Sequence, residues 1–100
     1  MLSKFFQIFS KRPNAWEIAS EYKIPAKISL TISKENGWLI ITSPDLPGLV
    51  TQASNQKEML EMVSDAVLTY FDVPKSIAKE LSGKLVIENN FLQLDRTQLA

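Results

Sequence analysis

The most regular pattern of apolar and polar positions lies in 26–33, where Ile28, Leu30 and Ile32 alternate with Lys27, Ser29, Thr31 and Ser33. Period two with β-branched residues predicts a half-buried strand. It opens just after Pro25, a residue tolerated at strand starts but not inside. Asn36-Gly37 follows, and that pair predicts a tight hairpin because both residues accept positive φ. The returning strand, 38–42, carries the unbroken apolar run Trp38-Leu39-Ile40-Ile41. Such a run predicts a central strand or one covered on both faces, and on that reading Trp38 is a core residue. The motif Pro44-Asp45-Leu46-Pro47-Gly48 then interrupts the apolar sequence, and a short third strand is expected over 49–53. The connection is short enough for strands two and three to be neighbours, which gives a three-stranded antiparallel meander.

Helical spacing takes over after Ala53. Leu60, Val63, Val67 and Tyr70 or Phe71 form one stripe, widened by Met59, Met62 and Ala66, with Glu58, Glu61 and Asp65 on the more polar side. A helix is therefore expected over 56–71, opened by a capping box of Asn55 with Glu58. Asn14 and Glu17 have the same spacing and predict a short helix over 15–22. Pro74 suits the first turn of a further helix over 75–81, and Gly83 is placed to end it. Residues 84–88 read as a strand, Asn89-Asn90 as a turn and 91–95 as a partner strand. Near the N-terminus Leu2, Phe5, Phe6 and Phe9 stand at i, i+3, i+4 and i+7. That stripe predicts a helix packed over a core or against a second copy. A membrane-surface helix has only Lys4, Lys11 and Arg12 as basic support.

These elements describe an α+β chain: a three-stranded antiparallel meander, a helix and a further strand (β-β-β-α-β), preceded by an N-terminal helical extension. The expected division is an extension over 1–24, an α+β domain over 25–95 and a frayed tail over 96–100.

Composition narrows the chemistry. One hundred residues suffice for a single domain with its own core. Apolar residues make up 45% and charged residues 22%, and eleven basic side chains balance eleven acidic ones. A neutral chain lacks the basic footprint of an autonomous nucleic-acid binder. Neither cysteine nor histidine occurs, so disulfides, thiolate metal sites, imidazole ligands and the usual general base are excluded. No apolar run approaches the roughly 20 residues that span a bilayer. The apolar N-terminal stretch is too short, and lacks the cleavage site, for a signal peptide. A cytoplasmic protein without cofactor or metal is expected.

Three chemical readings can be weighed against structural ones. A two-metal nuclease needs several carboxylates converging on one site. The candidates Asp45, Asp65, Asp72 and Glu88 are scattered, and 28–33 holds no acidic residue at all. Asp45 sits in a turn, where its side chain serves by bonding nearby backbone N–H groups. Trp38 with Lys23, Lys27 and Lys34 could stack on single-stranded RNA, but a core role for Trp38 competes with that. Pro47-Gly48 could form a rigid loop for a partner, although backbone geometry alone accounts for both residues.

The segment 28–71 resembles the HicB-like antitoxin domain. The matching residues are the strand–turn–strand from Ile28, the loop Pro44-Asp45-Leu46-Pro47-Gly48, the short strand with Thr51-Gln52-Ala53, and the helix capped at Asn55. The resemblance covers about half the chain. It implies a compact β-β-β-α-β fold, a partial ribonuclease-H-like arrangement without the active site. It further implies a non-enzymatic antitoxin that binds and occludes a small HicA-type RNA-cleaving toxin, with the 44–48 loop as partner surface. Two departures stand out. About 25 residues precede the first strand, and the region after Phe71 is too short and uncharged for the DNA-binding segment many members carry, so no direct DNA binding is expected. The alternative is an orphan HicB-like domain that self-associates, with Leu2, Phe5, Phe6 and Phe9 as contacts and no toxin partner.

Overall fold

The computed structural model describes residues 14–95, which build two small antiparallel sheets and three helices around one core. The helix expected over 2–10, with Leu2, Phe5, Phe6 and Phe9, and the tail from residue 96 lie outside the described residues.

Helix α1 spans Ala15–Glu21 and begins as its sequence dictates. The Asn14 Oδ1 accepts from the Glu17 N–H at 2.9 Å, and the Glu17 Oε1 accepts from the Asn14 N–H at 2.9 Å. Two of the helix's orphan donors are thus satisfied reciprocally. Ala15, Ile18 and Ala19 are buried in the common core.

The extended segment that follows is not one strand. Strand β1, Lys27–Ser29, and strand β2, Thr31–Glu35, are separated at Leu30 and belong to different sheets. The alternation expected over 26–33 survives the change, since Ile28 and Leu30 are both buried and Ile32 packs against the same core. What changes at Leu30 is the backbone partner.

Strand β2 turns through Asn36 and Gly37, at φ 52° and 84°, into β3, Trp38–Thr42. Two consecutive positive φ values are what the tight hairpin needs. Strand β4, Val50–Ala53, pairs antiparallel with β3, so β2-β3-β4 is the expected meander with β3 at its centre.

Helix α2, Gln56–Tyr70, lies against the face carrying Ile41 and Ala53. Its buried stripe is Val63, Ser64, Val67 and Leu68, rotated from the expected one: Leu60 is half-buried and Tyr70 exposed. The cap is half of the predicted box. The Asn55 Oδ1 accepts from the Glu58 N–H at 2.9 Å, but the Glu58 carboxylate accepts from the Ser54 N–H at 3.0 Å instead of from Asn55. Asn55→Ala is expected to lower stability by about 1 kcal/mol, the usual value of such a cap, read as a shift in the urea midpoint at unchanged slope.

Asp72, at φ 57°, reverses the chain into α3, Lys75–Ser82. Gly83 caps its C-terminal end as expected, with its N–H on the Leu81 carbonyl, but at φ −74° it makes no use of glycine's left-handed freedom. Strand β5, Leu85–Glu88, turns through Asn89 and Asn90, both at positive φ, into β6, Phe91–Leu94. This hairpin pairs back onto β1, giving the second sheet the order β1-β6-β5. The protein is therefore α+β, as expected, with one further sheet that the simple β-β-β-α-β order does not contain.

Candidate functional site

The residues of the Pro44–Gly48 motif form two consecutive turns. The Leu46 N–H donates to the Ser43 carbonyl at 3.3 Å, closing a turn with Pro44 at its second position. The Leu49 N–H donates to the Leu46 carbonyl at 3.1 Å, closing another with Pro47 second and Gly48 third. Gly48 has φ +88°; proline followed by positive φ defines a type II turn, for which glycine is the natural residue. Leu46 and Leu49 are both buried, so the loop is nailed to the core at each end of the second turn.

Its polar side chains work at two ranges. The Ser43 Oγ accepts from the Asp45 N–H at 3.1 Å, a local bond. Asp45 Oδ2 accepts from the Ser29 N–H at 2.7 Å, sixteen residues away. The sequence assigned Asp45 to bonding its neighbours; the structure corrects this, because Ser43 holds the local donor and the carboxylate reaches β1. Beside it the Tyr70 hydroxyl donates to the Pro47 carbonyl at 3.0 Å, latching the loop to the end of α2. Asp45 is thus a staple between the loop and the point where the extended segment changes sheets.

Strand β4 leaves this loop along the open face of the meander. Residues paired across an antiparallel ladder share a face. Thr42↔Val50, Ser33↔Ile40, Ile40↔Gln52 and Glu35↔Trp38 therefore all point away from α2. Trp38 is 43% exposed and Val50 65%. The core role expected for Trp38 is wrong. The unbroken run 38–41 arises because β3 has an apolar residue on both faces while, among the described residues, only the Ile41 side packs against a helix. The same run was the available signal for the exposed patch, but a sequence cannot say whether a face has a cover.

Glu35, not a lysine, stands directly across from Trp38. Lys34 occupies the other face, opposite Leu39, and the Lys27 ammonium sits 5.0 Å from the Phe91 ring centre. Asp45, Asp65, Asp72 and Glu88 lie on the loop, α2, the turn after it and β5. Among the described residues no three histidine, cysteine or acidic side chains are grouped to hold a metal ion. No described helix is long and apolar enough to cross a membrane.

The chain is similar to a UPF0150 protein of Archaeoglobus fulgidus, with 36% identity over 64 residues, covering 62% of this chain and 93% of that protein. The chain belongs to the UPF0150 family. No family model matches it, and no solved structure gives a significant match. In this UPF0150 chain, then, the predicted partner loop is a rigid, core-anchored double turn. Beside it lies a sheet face with Trp38 and Val50 exposed and Ile40 half-buried between them, which sequence reasoning missed. Leu2, Phe5, Phe6 and Phe9, the expected oligomer contacts, fall outside the described residues.

Proposed function

We propose that this protein is a non-enzymatic, HicB-like binding protein that occludes a small HicA-type RNA-cleaving toxin in the cytoplasm. The observation that carries this reading is the open sheet face with Trp38 and Val50 exposed beside a fixed loop. Apolar side chains held on a rigid sheet, with an aromatic among them, are the composition of an interface centre. Occlusion needs burial of the toxin's catalytic surface and no chemistry from this chain. Membership of UPF0150 and the resemblance of 28–71 to HicB-like antitoxins support the choice of partner class.

The test is co-expression with the small basic toxin of an adjacent reading frame. Growth is expected to be rescued and the two chains to co-purify. Ile40→Glu with Val50→Glu should abolish both effects while leaving the melting temperature of the free protein within a few degrees. Absence of a complex and of rescue overturns the antitoxin reading. A second reading, an orphan homo-oligomeric domain, is favoured by the scarcity of charge on the open face, where Glu35 is the single ionised residue in the paired positions. Concentration-dependent mass in analytical ultracentrifugation, removed by the same double substitution, would select it.

A further inference from the structure

Each of the two sheets ends in two edge strands, and three of these four edges are guarded. On β1 the Ser29 N–H is already taken by the Asp45 carboxylate. Strand β2 carries exposed Lys34 and Glu35, and β5 follows Lys84 and ends in exposed Glu88. Charged side chains and covering loops are the usual means of keeping an edge from pairing with another chain. Strand β4 has neither. Among the described residues it pairs with β3 on one side and with no strand on the other. Val50-Thr51-Gln52-Ala53 contains no charge and no proline, and Val50 is 65% exposed. Its outer row of backbone N–H and carbonyl groups is a template for a further strand.

Helix α2 widens this edge into a strip. It packs chiefly against β4, starts three residues after Ala53, and at its far end Tyr70 donates to the Pro47 carbonyl just ahead of β4. The helix therefore runs beside β4 in the opposite direction. Met59, Met62, Ala66 and Tyr70 recur at helical spacing on one flank, the flank that Tyr70 ties to the start of β4. Met59, Met62 and Ala66 are half-buried, and Tyr70 is exposed. The charged residues of α2 lie elsewhere: Lys57, Glu61 and Asp65 line the groove toward α3, and the Glu58 carboxylate accepts from the Ser54 N–H. Strand and flank together form a strip without charge.

That neutrality and the antiparallel course of strand and helix select the occupant. A nucleic acid finds no cation on the strip to neutralise its phosphates. An extended peptide would use the β4 backbone but leave the methionines of α2 half-covered. A second copy of this chain uses both. One two-fold axis passing Thr51, near the middle of β4, and Met62, near the middle of α2, sets strand against strand and helix against helix. Residues opposite each other in an antiparallel pair share a face. Thr51 therefore meets its own copy, Val50 meets Gln52 of the second chain, and no like charges are brought together. The two meanders become one continuous six-stranded sheet. We infer that β4 and the Met59–Tyr70 flank of α2 form a two-fold interface between copies of this chain. The interface stands apart from the toxin reading and uses the edge of the sheet rather than its open face.

The test is sedimentation equilibrium of the full chain. A strip one strand and one helix wide is at the small end of specific interfaces, so half-dissociation is expected at about 1–100 μM. Met62→Lys and Met62→Glu each bring like charges together at the axis, and each variant alone should stay monomeric across that range. An equimolar mixture of the two should dimerise again, which a folding defect could not produce. Ile40→Glu, on the open face, should leave the dimer intact. In the unaltered chain, amide hydrogen exchange over 50–53 should slow as concentration rises while that of β2 does not change. A wild-type monomer at all concentrations, Met62 variants that remain apart when mixed, or a dimer abolished by Ile40→Glu instead would overturn the inference. An edge already covered by residues 1–13 would appear as a monomer and count against it equally. Failure of toxin rescue, read in a separate assay, leaves the sedimentation result standing.

Discussion

Ile41→Ala is expected to destabilise the protein by about 2–5 kcal/mol, the range for truncating a fully buried aliphatic side chain. Ile41 is 0% exposed on the central strand of the meander. Its side chain faces α2, and the cross-strand neighbours Ile32 and Thr51 share that side. The substitution removes apolar area from the core and leaves a cavity that β3, hydrogen-bonded on both sides, cannot collapse to fill. For a domain of this size each kcal/mol moves the melting temperature by about 4–8 °C, so a fall of at least about 8 °C is expected in a thermal melt. Ile40→Ala, one residue along but on the open face, is expected to cost no more than about 1 kcal/mol. An equal or greater loss at Ile40 in dilute solution would contradict the assignment of faces. A loss at Ile40 that grows with protein concentration would instead mean that a second copy covers the face.

Leu46→Ala is expected to cost about 2–4 kcal/mol, an unusual effect for a residue in a loop. Leu46 is 5% exposed, and its N–H and carbonyl serve both turns of the motif. Losing its side chain frees the double turn from the core. Asp45→Ala, which removes the charged bond to the Ser29 N–H, should cost less, about 1–2 kcal/mol, because that bond is near solvent. Chemical denaturation of both variants reads the order directly. If Asp45→Ala proved the costlier, the loop would be held mainly by its staple rather than by its buried leucine. Loss of binding to the proposed partner by Leu46→Ala without loss of stability would instead make Leu46 a contact residue.

The motif illustrates how much of the site could be read beforehand. Pro44, Pro47 and Gly48 announce turns because each limits or enlarges the range of its own φ. The turns are where those residues place them. Asp45 could be assigned a backbone donor, but not the right one, because the Ser29 N–H reaches it only after β1 has folded against the loop. The open face was harder still. Trp38 has the side chain of a core residue and stands in an apolar run, yet only the Ile41 side of β3 acquires a helix. Ser64 passed unnoticed for a related reason: a serine on a helix is unremarkable until its neighbours bury it.

By itself the sequence determined the local elements. Asn14 and Asn55 start their helices, Asn36-Gly37 and Asn89-Asn90 turn their hairpins, and alternation decides that Ile28, Leu30 and Ile32 share a face. Each is a property of a few adjacent residues, settled by side-chain hydrogen bonds, steric limits on φ and the two-residue period of a strand. The tertiary structure alone decided that β6 pairs with β1, that the extended segment changes sheets at Leu30, that Asp45 bonds Ser29, and that Trp38 stays 43% exposed. Alternation records which side chains lie together, but backbone N–H and carbonyl groups are the same at every position. Nothing in the order of residues names the distant strand that will pair with them or the face that will find no cover.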